Sequence, residues 1–387
     1  MANQKASEQK DGFSKRGKFW SYRFRVPDPA TGKTKEVRIS GFSTKEEAKA
    51  DRIKRQAEAQ NGKFVRSTKE TVGEFFPDWL EKKIAKGDIK PTTAHQYRQI
   101  INYYLIPHIG VLKLNELNPE LLENFLITLI QSGKKNGSGL SHATVRTVSI
   151  VISQGLDQAV THKKIAVNPM KEVQKPKGKT KEVSTFSSSE IKALLALAES
   201  HRLHALFFLA CKTGARRGEL LALRWSDFDP EAKTISISKS RGMAGGEIIE
   251  QASTKSKSGN RKVQLSSSVV AVLQDHAKKQ SDEMVKVGSG WIDTGYIFVQ
   301  ENGEPLYPTT PYLIFRKFIK ELGFKDEPFH ALRHSHVTEL LRAKMPVHMV
   351  AKRIGDEVAT VMKVYAHSNA EDDQVLADTY EEVLENA

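Results

Sequence analysis

Residues 213–229 read TGARRGELLALRWSDFD, and their reading sets the character of the C-terminal half of the chain. The apolar run LHALFFLACKTG, 203–214, has helical length, and Gly214 is placed to end it. A second helix follows, with Arg216 and Glu219 three residues apart at its start, the spacing at which side chains share a helix face. Upstream, Ser187 and Glu190 form a capping box, S-S-S-E, before IKALLALAE. Downstream, TISISKS at 234–240, a hairpin GEIIEQASTKSKSGNRKVQL at 246–265, and YIFVQ at 296–300 before the Asn302–Gly303 turn read as short strands among helices. Residues 187–387 are therefore expected to be a mixed, mainly α unit with a small β-sheet.

The chain before residue 187 has two other textures. In FWSYRFRV, 19–26, Trp20, Tyr22, Phe24 and Val26 alternate with Ser21, Arg23 and Arg25, the period of a half-buried strand with a basic outer face. PDPATGK is turn material, EVRIS returns as a second strand with Val37 and Ile39 inward, and S-T-K-E at 43–46 caps a helix running to about residue 60. This is a small β-sheet plus helix over residues 1–66. From 72 to 165 the strand signal vanishes. VGEFFPDWLEKKI, TTAHQYRQIINYYLIPHI, PELLENFLITLIQSG and SHATVRTVSIVISQGLDQAV carry apolar residues at helical spacing, separated by KGDIKP and KKNGSG. Residues 67–167 are expected to be a helical bundle, and the basic, proline-containing stretch 168–186 a linker.

Composition bounds the function. At 387 residues the chain suffices for two or three domains, and its single cysteine, Cys211, excludes a disulfide framework and a cysteine-rich zinc module. Cys211 sits in an apolar run and reads as a packed thiol. No apolar run is long enough to span a bilayer and the N-terminal residues lack a signal-peptide stretch, so a cytosolic protein with no membrane partner is expected. Net charge is +14, and residues 1–66 hold 17 Lys/Arg against 8 Asp/Glu, whereas residues 371–387 hold seven acids and no base. A basic end on a basic chain points to a polyanion, most often nucleic acid.

Three clusters carry unusual chemistry. Besides 213–229 there are FHALRHSHVTELL, 329–341, in which His330 and Arg333 share a face, and RIGDEVATVMKVYAH, 353–367, which ends near Tyr365. Between the first two lies the lysine-bearing STKSKSGNRK. If the target is a phosphodiester, charge develops on non-bridging oxygens and catalysis is mostly positioning plus electrostatic stabilisation. Two guanidinium forks, Arg216 and Arg333, suit that task because each donates bidentate pairs and stays charged. A histidine exchanges a proton near neutrality, a lysine protonates a leaving alkoxide, and a tyrosine becomes a nucleophile where cationic neighbours favour the phenolate.

Taken together, T-G-x-R-x-x-E at 213–219, H-x-L-R-H at 330–334 and Y-x-H at 365–367 resemble the tyrosine recombinase, or phage integrase, family, most closely the phage and conjugative-transposon integrases of Gram-positive bacteria. The resemblance implies a multidomain α+β protein: an arm-type DNA-binding domain (1–66), a helical core-binding domain (67–167), a linker and a catalytic domain (187–387). It implies cofactor-free strand exchange on double-stranded DNA, at core and arm sites, by a homotetramer, with an excisionase or DNA-bending protein as an accessory partner. Position by position, Arg216 and Arg333 match the family's two arginines, His330 its histidine or lysine, Glu219 its supporting acid and Tyr365 its nucleophile. Lys255 and Lys257 point the same way on a strand, so periodicity does not choose between them; the family's usual T-K-T/S form favours Lys255 as the catalytic lysine.

One position departs from the family. After the glycine, where many members have histidine, the chain has Asp356, which as an anion cannot donate to a phosphate oxygen and is expected instead to partner a nearby cation or histidine at the site. In the tail, Val375, Leu376, Tyr380, Val383 and Leu384 are spaced as on a short helix, and the family's habit implies docking on a neighbouring protomer. Rival readings are a zinc hydrolase built on His330, His334 and His336, a non-catalytic DNA-binding repressor, and a type IB topoisomerase. His336 points off the His330/His334 face, a repressor leaves the Arg, Lys, His, Arg, Tyr set unexplained, and a topoisomerase does not account for a separate basic N-terminal unit.

Overall fold

The computed structural model describes residues 12–27, 34–60, 69–134, 136–176, 178, 184–252 and 260–365. Lys255, Lys257 and the acidic tail lie outside the described residues. The chain divides into two compact units, Met1–Lys179 and Thr180–Ala387. No helix among the described residues is long and apolar enough to cross a membrane.

The first unit opens with an antiparallel sheet of three strands, β1 (Phe13–Arg16), β2 (Phe19–Pro27) and β3 (Thr34–Phe42), in that order, followed by α1 (Lys45–Gln60). The period-two reading of β2 holds: Tyr22 and Phe24 are buried with Phe13 and Ala48, while Arg23 and Arg25 face outward. Strand β1 was not anticipated, because only Phe13 in it is apolar; it pairs through Phe13 opposite Tyr22. The Tyr22 hydroxyl donates to Asp51 Oδ2 at 2.5 Å, and Asp51 also receives Arg55 Nε at 2.8 Å, tying α1 to the sheet. Burial, then Asp51, pushes the Tyr22 phenol above its ordinary range. The α1 cap is displaced by one residue from S-T-K-E: Thr44 Oγ1 accepts from Glu47 N at 3.1 Å, and Glu47 Oε2 accepts from Ser43 N at 2.9 Å. Phe42 still pairs with Trp20 in the sheet, so Ser43 is used in leaving it.

The helical part follows with α2 (Val72–Ala85), α3 (Pro91–Ile100), a π-helical segment Ile101–Leu105, α4 (Ile106–Ile109), α5 (Pro119–Ser132) and α6 (His142–Thr161). Thr71 and Glu74 cap α2 reciprocally. The π segment lies directly ahead of Pro107, whose missing N–H and ring cannot continue a regular i to i−4 ladder. Phe76, Leu105, Leu122, Leu126, Leu129, Val151 and Ile152 form the fully buried centre. Residues 168–173, from the stretch read as a linker, pack onto this core: Met170 and Val173 are buried, and Asn168 Nδ2 donates to Ser153 O at 3.0 Å and Asp157 Oδ1 at 2.8 Å.

The second unit contains α7 (Ser188–Ala198), α8 (His204–Thr213), α9 (Arg217–Ala222), β4 (Phe228–Asp229), β5 (Thr234–Ile237), β6 (Lys239–Ala244), β7 (Glu247–Ala252), β8 (Arg261–Gln264), α10 (Ser267–Val287), α11 (Thr310–Glu321), α12 (Ala331–Arg342), α13 (Val347–Ile354) and α14 (Val358–Tyr365). Leu206, Phe207 and Leu209 of α8 lie in its core with Phe315, Phe318 and Phe329. Phe186, the end of the expected linker, is buried here, and its N–H donates to Ser335 Oγ at 2.7 Å.

Two strand expectations are corrected. The hairpin expected over 246–265 does not pair with itself: β7 pairs with β6, and β8 pairs with β5. Gly245 and Gly246, at φ 64° and 87°, supply the two left-handed positions of a tight turn between β6 and β7. YIFVQ makes only isolated bridges, Arg224 with Tyr296 and Val299 with Pro305. Ile297, Phe298 and Val299 are nevertheless buried, so the run is apolar because it is interior, not because it is in a ladder.

Candidate active site

The end of α8 builds the first wall. Gly214 closes that helix at φ +64°, and a Cβ there would stand 2.8 Å from His336 Cδ2. Its carbonyl accepts from Arg333 Nη1 at 2.8 Å. Arg216 then caps α9: its N–H donates to Glu219 Oε2 at 2.9 Å and its Nη1 to Glu219 Oε1 at 3.0 Å. The i, i+3 pair read from the motif is therefore formed.

Glu219 is 1% exposed, and it faces a second cation, Arg261 of β8, which donates through Nη2 to Oε2 at 2.8 Å. Burial alone would raise this carboxyl, but the hydrogen bond and charge of Arg261, with the backbone N–H and charge of Arg216, outweigh it and hold the pKa at about 2. Arg261 was read only as part of the lysine-bearing stretch. Its role was not legible, since its partner is 42 residues away.

Arg333, on α12, is 3% exposed, and its Nη2 donates to Asp356 Oδ2 at 2.6 Å. Asp356 Oδ1 accepts from Arg216 Nη2. One carboxylate thus joins two arginines that lie far apart in sequence, and the expected cation partner of Asp356 is two cations. Burial, then the charge of Arg216, pull the Arg333 pKa down, and Asp356 pushes it back. Asp356 directly follows Gly355, the left-handed C-cap of α13 at φ 69°.

Around the arginines stand three histidines. His330 caps α12 and meets His334 edge to face, with ring centroids 4.6 Å apart. Although His330 reaches the surface, the protein packed about its ring, then the neighbouring His334, Arg333 and Arg216, hold its pKa below the ordinary histidine value. These neighbours favour the neutral imidazole, which leaves one ring nitrogen as a hydrogen-bond acceptor. His336 turns away from that pair: its Nδ1 donates to Cys211 O at 3.0 Å, and its Nε2 accepts from Arg353 Nε at 3.2 Å. That bonding defines one neutral tautomer, and burial followed by the Arg353 charge lowers its pKa to about 4. Arg353, also not anticipated, donates to the carbonyls of Gln264 and Lys212 at 3.2 and 3.0 Å. Cys211 is the packed thiol expected, with burial pushing its pKa up to about 12.

The structure therefore brings Arg216, Arg333, Asp356 and, beside them, His330 into one cluster. Tyr365 is the last residue of α14, and its side chain lies outside the described residues. Val361 anchors that helix in a small cluster with Val337, Val350, Ala351 and Ile354. Among the described residues no group of three or more His, Cys, Asp or Glu could hold a metal ion. What the cluster offers is an oxyanion seat, two guanidinium groups with converging terminal nitrogens beside a neutral imidazole.

Comparison with known proteins identifies the chain's relatives. Residues 12–58 match an arm DNA-binding domain, 71–130 the N-terminal SAM-like domain of phage integrases, and 184–372 the phage integrase family. The chain is 28% identical over 381 residues to a tyrosine recombinase XerC-like protein of Caldanaerobacter subterraneus subsp. tengcongensis, covering 93% of this chain and 95% of that one. It is 23% identical over 366 residues to the ICEBs1 integrase of Bacillus subtilis, covering 92% and 95%. Its fold is similar to that of the Tn1549 transposon integrase solved with a circular intermediate DNA, at a TM-score of 0.66 and 18% identity over 80% of this chain and 99% of that one. With arm, SAM-like and integrase segments matched in that order, the chain belongs to the phage integrase family and is a DNA-binding, tyrosine-type site-specific recombinase of mobile elements.

Proposed function

We propose that the protein cuts and rejoins DNA without a cofactor through a 3′-phosphotyrosyl intermediate on Tyr365. The observation that carries this reading is the convergence of Arg216 Nη2 and Arg333 Nη2 on the two oxygens of one carboxylate, the arrangement that two non-bridging phosphate oxygens require. Tyr365 Oη attacks the scissile phosphorus, its proton passes to neutral His330, and the bond to the 5′-oxygen breaks. Lys255 protonates that leaving oxygen. The 5′-hydroxyl then attacks the phosphotyrosyl link of a partner strand and releases the tyrosine, so bond energy is conserved. Glu219 and Arg261 set the position of Arg216.

In this reading residues 1–66 bind arm sites, 67–167 and 187–387 each bind core-site DNA, and 168–186 connects them in the chain. Two duplexes each cut on both strands need four tyrosines, so four protomers act together. The reaction runs in the bacterial cytosol as integration, excision or both, with an excisionase or DNA-bending protein setting direction.

The test is Tyr365→Phe, which keeps the ring and removes the attacking oxygen. On a nicked core-site duplex the wild type is expected to trap a 3′-linked covalent product without added metal, and the variant to bind normally and trap none. Arg216→Ala and Arg333→Ala are expected to leave at most a trace. Covalent product from the Phe variant, mapped to another residue such as Tyr380, overturns the assignment.

A further inference from the structure

Each arginine of the seat is held from behind by a partner other than Asp356. Arg216 Nη1 is fixed by Glu219 Oε1 at 3.0 Å, and Arg333 Nη1 by the Gly214 carbonyl at 2.8 Å. Asp356 takes the remaining pair of described contacts, one oxygen to each Nη2. Its side chain is 26% exposed, between Arg333 at 3% and Arg216 at 32%, so solvent reaches the carboxylate where it bridges them. It is also carried on a short link: only Asp356 and Glu357 separate Gly355, which ends α13 in the left-handed conformation, from the start of α14. The contacts that shape the seat are thus distinct from the contact that fills it.

A phosphodiester offers two non-bridging oxygens at a separation close to that of a carboxylate, and it carries the same single negative charge. Two anions in one two-arginine seat repel, at a cost that rises as water is excluded. We propose that Asp356 is an internal stand-in for the scissile phosphate: it holds Arg216 and Arg333 together while no DNA is bound, and core-site DNA must expel it to be cut. The proposal rests on the reading that a phosphodiester is seated between these arginines. In the DNA-free protein the carboxylate balances two close cations that would otherwise repel. When the phosphate arrives it takes over that balance, and the carboxylate swings out on its link. Because α14 begins at Val358, the same movement displaces the start of the helix that ends in Tyr365. Occupation of the seat and release of the nucleophile's helix are then one event.

The experiment crosses two changes. Asp356→Asn keeps the shape and removes the charge, with Asp356→Ser as a second variant, and circular dichroism confirms folding of each. Binding is measured on a core-site duplex carrying either the native phosphate or a neutral methylphosphonate at the position where the wild type forms its adduct. Expulsion of Asp356 predicts that the Asn variant binds the native duplex about tenfold more tightly than the wild type, while the two proteins differ less than about twofold on the methylphosphonate. An equal change on both duplexes, or weaker binding of the native duplex by both variants, overturns the proposal. Should the wild type form no adduct, the reading of function fails first, and inorganic phosphate decides the proposal. Phosphate at matched ionic strength is then expected to raise the Tm of the Asn variant and not that of the wild type, and equal responses overturn it.

Discussion

Buried charge around Glu219 and His336 gives the second unit a definite response to acid. His336 is neutral in the fold, with its pKa lowered to about 4 from an ordinary 6.5. The unfolded chain therefore binds the proton first, and stability present above pH 6.5 is lost as pH falls toward 4. Glu219 follows at lower pH: its carboxyl is held at about 2 against an ordinary 4.5, so its contribution is present above 4.5 and lost between 4.5 and 2. His201, His204, His276, His330 and His334 are shifted in the same direction as His336, so the slope between pH 6.5 and 4 is shared. Replacing His336 with Asn removes one titrating group. Urea unfolding followed across that window is expected to show a slope reduced by up to about 1.4 kcal/mol per pH unit, the value for one proton. An unchanged slope would mean that His336 titrates alike in the folded and unfolded chains, and would refute its burial as a neutral group. Helical spacing in FHALRHSHVTELL set His336 off the face shared by His330 and His334, but the partners that fix its charge were not readable there. Those partners are Cys211 and Arg353, which other parts of the chain bring in.

Among the elements, helices were legible and strand partners were not. A helix closes its own hydrogen bonds within four residues, so Ser187 with Glu190 and the left-handed Gly214 could be placed from local sequence. A strand needs another strand, and GEIIEQA had two candidate partners. It took the nearer one, through a turn that Gly245 and Gly246 make cheap, and left Arg261–Gln264 to β5. That choice puts Arg261 against Glu219. Helix packing is also set by close approaches that no pattern announces. Gly155 of α6 lies against Phe76 of α2, where an added Cβ would stand 2.3 Å from the ring. Gly155→Ala is expected to cost about 1–3 kcal/mol by overpacking, read as a lower Tm of the helical domain in calorimetry. Phe76→Leu in the same chain should return part of that loss. A double variant no more stable than the sum of two independent losses would show that the two sites do not touch in solution.

At the scale of the whole molecule, charge and function divide along the chain. Residues 1–66 carry 17 basic against 8 acidic side chains, and Arg23 and Arg25 face outward from β2. A chain lacking residues 1–66 is expected to lose affinity for arm-site DNA while still forming the covalent adduct on a core site. The lost part should be steeply salt-dependent, because it is dominated by counterion release. Equal binding of every segment of the attachment DNA by the full and shortened chains would refute separate arm binding.

By itself the sequence determined what depends on neighbours in the chain: the helices, the Ser187–Glu190 cap, the alternation of β2, the basic N-terminal end, and the order of motifs that marks the family. It also supplied Arg216 with Glu219, because an i, i+3 pair is a local event. Only the tertiary structure decided what depends on distance across the fold. It set which strand β7 joins, and that Met170 and Val173 on one side and Phe186 on the other are core residues of the two units. It also set that Asp356 joins Arg216 to Arg333 and that Arg261 backs Glu219. The physical reason is the same in each case. Contacts within one helical turn are fixed by backbone geometry, whereas partners 23 to 140 residues apart, as Asp356 is from its two arginines, meet only when burial of the core brings their elements together.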